Sequence, residues 1–114
     1  MIEQGLQQEI NMVMTEARNR RLEFVTVEHL LLALLNMDEV IAFLRGKRVN
    51  IDELRAELDQ YIDSHTPIIS EDAEIDIVPT VGFQRVLQRS VYQAQSAQKN
   101  SVNAMNVFVS IFSE

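Results

Sequence analysis

Residues 23–35 read EFVTVEHLLLALL. Two polar residues, Glu28 and His29, stand at the head of an apolar run. An acid beside a histidine fits a catalytic pair, a metal fragment or the first turn of a buried helix. Thr26 points to the last of these. Its hydroxyl can accept from the free N–H groups of the turn that follows, so it makes a good N-cap. A helix from Val27 to about Leu35 follows. It is apolar nearly all round, which places it in the middle of a domain.

Working outward, the same period recurs. Leu6, Ile10, Val13, Met14 and Ala17 form one stripe at spacings of three and four, predicting a helix over about Glu3–Arg20. A short helix over about Glu39–Arg45 has Asp38 to cap it and Gly46 to end it in the left-handed conformation. Asn50, with Glu53 in a variant of the capping box, starts a fourth, whose stripe is Ile51, Leu54, Leu58, Tyr61 and Ile62. From Thr66 to Gly82 both prolines of the chain interrupt helical periodicity and mark a connector. Alternation in EIDIV (74–78) permits an extended segment, but a lone strand would have no sheet to join. Thr80 caps a fifth helix, with Phe83, Val86, Leu87, Val91 and Ala94 inward to about Gln98. Asn103 caps a last one over Ala104 to about Ser113, with Val107, Phe108, Ile111 and Phe112 apolar.

The chain repeats itself. Leu6–Met37 can be laid over Phe83–Glu114 without a gap. Ile10 falls on Leu87, Met14 on Val91, Ala17 on Ala94, Val25 on Val102 and the cap Thr26 on the cap Asn103. Two stripes and both caps agree in one register, which indicates a duplicated helical motif. The expected fold is all-α: two pseudo-symmetric repeats of a four-helix motif, with the second broken off after its second helix. The expected division is 1–65 first repeat, 66–82 connector, 83–114 incomplete second repeat.

Composition narrows function. The net charge of -7 argues against nucleic-acid binding, which needs a cationic face. Absence of cysteine excludes disulfides and thiolate metal sites. The start of the chain lacks a secretory pattern, and no apolar run reaches the roughly 20 residues of a membrane span; the cytosol is the default. Charge is uneven. Arg55 is the only base between Asp52 and Asp76, Gly82–Ser113 holds no acid, and Arg18, Arg20 and Arg21 cluster at the end of the first helix, where cations suit its dipole.

No chemistry is nominated. A zinc-protease helix needs HExxH, and here the single histidine follows the acid; a P-loop needs GxxxxGK[ST], and neither Gly5, Gly46 nor Gly82 has that context. The repeat sets Glu28 against Met105 and His29 against Asn106, so the pair reads as a helix start. No catalytic, cofactor or metal residue is expected. An enzyme centred on Glu28 and His29 would lose activity in a folded His29→Ala variant.

The segments RLEFVTVEHLLLALL, PTVGFQRVLQRSVYQAQ and NVFVSIFSE resemble the N-terminal domains of the Hsp100/Clp AAA+ unfoldases, over the whole chain. TVEHLLLALL alone indicates the wider family, shared with ClpB and ClpC; FQRVLQR and IFSE point to the ClpA branch. The resemblance implies a domain without activity of its own, tethered above an ATPase ring whose modules, binding ATP and magnesium, lie outside this chain. It implies a ClpS-type adaptor as partner, which delivers N-degron substrates for unfolding and transfer to ClpP, and a bacterial cytoplasmic setting. Carried over by position, the adaptor surface comprises Glu23, Thr26, Val27, Glu28, Thr80, Gln84 and Arg85, foremost the acids Glu23 and Glu28. The chain departs from the family at Leu22, where members can carry a histidine, so a metal contact at that place is not expected. The alternatives are a ClpB/ClpC-type N-domain and a self-associating helical module.

Overall fold

The computed structural model describes residues 1–71 and 77–113. Among them are six helices: α1 Gln4–Asn19, α2 Val27–Leu34, α3 Asp38–Gly46, α4 Ile51–His65, α5 Val81–Ser96 and α6 Ala104–Ile111. Two short strands, β1 Phe24–Val25 and β2 Val78–Pro79, lie between them. The architecture is all-α, built around α2, which packs against α1, α4, α5 and α6. Leu30, Ala33, Leu34 and Leu35 are at most 1% exposed, as an all-round apolar helix requires.

Three of the starts follow from their caps. Asn50 Oδ1 accepts from Glu53 N–H at 3.1 Å, Thr80 Oγ1 from Phe83 N–H at 3.2 Å, and Asn103 Oδ1 from Asn106 N–H at 2.8 Å. Each removes one orphan donor from a helix end. Asp38 is not a cap. Met37 holds that position, and Asp38 lies in the first turn, where its charge complements the helix dipole.

The register that sets Leu6 on Phe83 carries α1 onto α5 and α2 onto α6 with both ends of each helix matched. It also carries the helix terminations. Arg21 and Gln98 both take the left-handed conformation, at φ 58° and 60°. Behind them Leu22 N–H donates to Ala17 O and Lys99 N–H to Ala94 O, the six-to-one bond of a Schellman ending. α3 ends the same way just beyond Gly46. That glycine remains helical, and Arg48 takes the left-handed position at φ 62°, so the expected glycine stop is corrected. A side chain at such a position carries a steric penalty that glycine lacks. Gln98→Gly should therefore raise stability by about 0.5–1 kcal/mol, read as a higher urea midpoint at unchanged slope.

The connector departs from expectation. A lone strand there would have no sheet to join, yet β2 pairs in parallel with β1, Phe24 opposite Val78 and Val25 opposite Pro79. Of the EIDIV stretch, residues 74–76 lie outside the described residues. The pairing has a twin: Ile2 bridges Val102, and the register of the repeat turns that bridge into Pro79 with Val25. Correspondingly, Glu3 N–H donates to Val102 O and Thr80 N–H to Val25 O, both at 2.9 Å. Each repeat thus lends its leading segment to the inner loop of the other. This cross-pairing sets the two halves in place.

Two stripe residues face outward. Tyr61 is 46% exposed and stacks on His65 with ring centroids 4.0 Å apart; Phe112 is 68% exposed and meets Phe108 edge to face at 5.0 Å. A stripe fixes a helix face, not what covers it. Ser90 and Ser110 enter the core instead, each returning its hydroxyl to a carbonyl one turn back, Val86 O and Asn106 O.

Candidate docking site at the junction of the repeats

The β1–β2 pairing brings together the two segments that hold the candidate residues. Glu23 is exposed, with its backbone held on both sides: its N–H donates to Pro67 O at 2.9 Å and its carbonyl accepts Val78 N–H at 3.2 Å. Its carboxylate is therefore displayed from a fixed main chain. Thr80 follows β2, anchored to Val25 O, and Gln84 Nε2 donates to Pro79 O at 3.1 Å. Val27 reaches the start of α5: a Cβ at Gly82 would stand 3.2 Å from Val27 Cγ2, so glycine is what lets the helix ends approach. Glu28 is partly exposed in the first turn of α2, and Gln84 and Arg85 are exposed in the early turns of α5.

Thr26, Val27, Glu28, Thr80, Gln84 and Arg85 thus sit at two helix starts joined by one parallel pair, with Glu23 on the strand before them. Sequence reasoning missed the apolar part of this junction. Ile68, Val78 and Val81 are 73%, 47% and 68% exposed around it. Their only signal was a scatter of β-branched residues in a connector, which periodicity cannot assign.

The arginine cluster has structural work beyond the dipole. Arg20 forms an ion pair with Asp63 of α4. Arg21 donates to the carbonyls of Ile69 and Ser70, and Ile69 N–H donates back to Arg21 O at 2.7 Å. These bonds hold the first residues of the connector against the end of α1, beside Glu23. Leu22 is 2% exposed and belongs to the core.

The hydrogen bonding of His29 is directed to Thr26. His29 is 3% exposed, and its Nδ1 accepts Thr26 N–H at 3.0 Å, closing a capping box from the third position of α2. Because Nδ1 accepts, the neutral ring carries its proton on Nε2, which is buried and has no partner among the described residues. Burial, and then the Arg20 charge, hold the imidazole below its ordinary range, against the opposing pull of Glu28 and Asp59. A cavity of about 180 Å³ lies beside the ring, lined by residues that include Glu16, Arg20, Asn36, Arg55 and Asp59. His65, by contrast, is exposed and lies 2.9 Å from Tyr61 O. Among the described residues no group of three or more His, Cys, Asp or Glu side chains is placed to hold a metal, and no helix is long and apolar enough to cross a membrane.

Residues 1–114 match the Clp repeat (R) N-terminal domain. The chain belongs to that family. This Clp N-terminal domain is 36% identical over 110 residues to a ClpA homolog protein of Fuscovulum blasticum, an alignment that takes in 96% of this chain and 14% of that protein. The chain therefore spans about 14% of the length of that relative. Among solved structures it is similar to the Hsp104 N-terminal domain from Candida albicans, with TM-score 0.82 at 13% identity over 96% of this chain and 72% of that one. It is also similar to the N-terminal domain of the ClpV1 ATPase of E. coli, with TM-score 0.79 at 13% identity over 96% and 66% of the two chains. These structures share the fold, and the ClpA-like character of this Clp N-terminal domain is carried by the 36% identical relative.

Proposed function

We propose that this Clp N-terminal domain is the adaptor-docking module of a ClpA-like unfoldase. It receives a ClpS-type adaptor, and through it N-degron substrates, at the junction of β1, β2 and the starts of α2 and α5. The observation that carries this reading is the β1–β2 pairing, which sets the Glu23–Glu28 segment beside Thr80–Arg85 on one surface. Two acids displayed from a fixed backbone suit the cations of a partner. They give orientation and a fast encounter more than raw affinity, while exposed Val78 and Val81 supply apolar area. The chain catalyses nothing and needs no cofactor; ATP and magnesium belong to ATPase modules outside it, which unfold the client and pass it to ClpP. The setting is the bacterial cytoplasm.

Calorimetric titration of the folded chain with a purified ClpS-type adaptor should give saturable binding at one site, weakening with salt as exposed charge pairs do. A folded chain that takes up no adaptor would count against the reading. Exposed Val109 on α6 and Phe112 just after it, 50% and 68% accessible, favour a second one, self-association through an apolar patch. Light scattering that stays monomeric across a hundredfold range of concentration would rule it out.

A further inference from the structure

The two capping boxes of this domain differ in the group that accepts the cap N–H. In α2 the acceptor for the cap N–H is His29 Nδ1; in α6, at the equivalent position of the repeat, it is Asn106 Oδ1, which accepts Asn103 N–H at the same 3.0 Å. An amide oxygen keeps its lone pairs at any physiological pH. An imidazole nitrogen does not: a proton on Nδ1 removes the acceptor of Thr26 N–H and leaves a donor that can turn only to Thr26 Oγ1, also 3.0 Å away, so the bond to the cap N–H is lost. We propose that His29 makes the first turn of α2 a pH-operated catch, closed when the ring is neutral and released when it is protonated, while the equivalent turn of α6 stays closed.

The surroundings fit such a device. The residue is only 3% exposed, so a charge created on the ring has little water to solvate it. From α1 it faces Glu16 and Arg20, from α4 Arg55 and Asp59, and on its own helix Glu28 follows Val27. Arg20 is tied to Asp63, and Arg55 to Asn36 Oδ1 and Leu35 O, so the two guanidinium groups are held in place. Glu28 and Asp59 soften the cost of protonation without providing Nε2 with a hydrogen-bond partner, since it has none among the described residues.

The direction follows from linkage. The folded ring titrates below the ordinary histidine value of 6.5. The unfolded chain therefore binds the proton first, and stability, complete above that value, falls as pH drops through it toward the folded pKa. The residues released would be Thr26, Val27 and Glu28, so adaptor docking would weaken as well. That consequence rests on the docking reading; the catch itself does not.

The test uses the chain alone. Amide NMR spectra are recorded from pH about 7.5 to about 5, beside His29→Asn, which copies the box of α6, and His29→Gln, which places the usual capping-box amide there. In the wild type, the Thr26–Leu30 signals should shift or broaden together with the imidazole, while Asn103–Val107 stay still. Both variants should lose that response, and their thermal midpoints should fall less over pH 7.5–5.5 than the wild type's, which should drop by several degrees. An unchanged pH response of Thr26–Leu30 in a folded variant would overturn the proposal, as would an equal response at Asn103–Val107. His65→Gln removes the other histidine and should leave the α2 response intact; its loss there would equally contradict the assignment.

Discussion

The double variant Glu23→Lys, Glu28→Lys should bind a ClpS-type adaptor on the order of 100-fold more weakly than the wild type, with its thermal midpoint nearly unchanged. Reversing two charges replaces attraction with repulsion across the same contact, and like charges set against each other in an interface cost several kcal/mol. Stability should hold because Glu23 is exposed and Glu28 partly so, and the Glu23 bonds are made by its backbone. Glu28 also favours the α2 dipole, which sets a loss of a few tenths of a kcal/mol for its reversal. The affinity loss should be larger at low salt and smaller at high salt. Glu9→Lys, on α1 away from the junction, should bind as the wild type does.

The largest effect on stability should come from Leu34→Ala. Leu34 is 0% exposed on the central helix, and truncating such a side chain removes transfer energy and leaves a cavity, together about 2–5 kcal/mol. For a domain of this size that amounts to a fall in Tm on the order of 10–15 °C. The repeat provides an internal comparison. Ile111 stands at the same place in α6 but is only partly buried. Ile111→Ala should cost less than Leu34→Ala, because less of its surface leaves water on folding. Urea titrations of both variants check the order, and equal losses would mean that α2 is no more central than α6.

Much of this fold is legible in the chain because its signals are local. Thr26, Asn50, Thr80 and Asn103 mark helix starts by chemistry that acts within one turn, and all four occupy the N-cap. The repeat register predicted from stripes and caps reappears in helix ends and in the paired left-handed residues Arg21 and Gln98. What could not be read is non-local. Strands as short as β1 and β2 cannot show a period, so the pairing of Val25 with Pro79 had no sequence signature. The exposure of Tyr61 and Phe112 depends on what covers a helix face. Arg48, rather than Gly46, takes the left-handed turn because Gly46 is still the last helical residue and Lys47 the C-cap.

For the candidate site the division is similar. The residue types of EFVTVE and PTVGFQR were visible, but only the family resemblance marked them as one surface. Their adjacency depends on cross-pairing between segments far apart in the chain, Glu23 with Val78 being one such contact. His29 shows the converse. The repeat foretold that an amide would serve in its place, and Asn106 makes the same bond. Its near-complete burial came from α1 and α4 closing over it, which no local pattern announces.

Chemical-shift mapping tests most directly whether this domain docks its partner at the junction of the repeats. Titrating isotope-labelled chain with unlabelled ClpS-type adaptor should perturb the amides of Glu23–Glu28 and Thr80–Arg85 first and most, with Ile68 and Val78 beside them. The exposed faces of α3 and of α4 around Glu57–Tyr61 should stay unperturbed. Perturbations centred on α3 and α4, with the junction silent at saturation, would contradict the account.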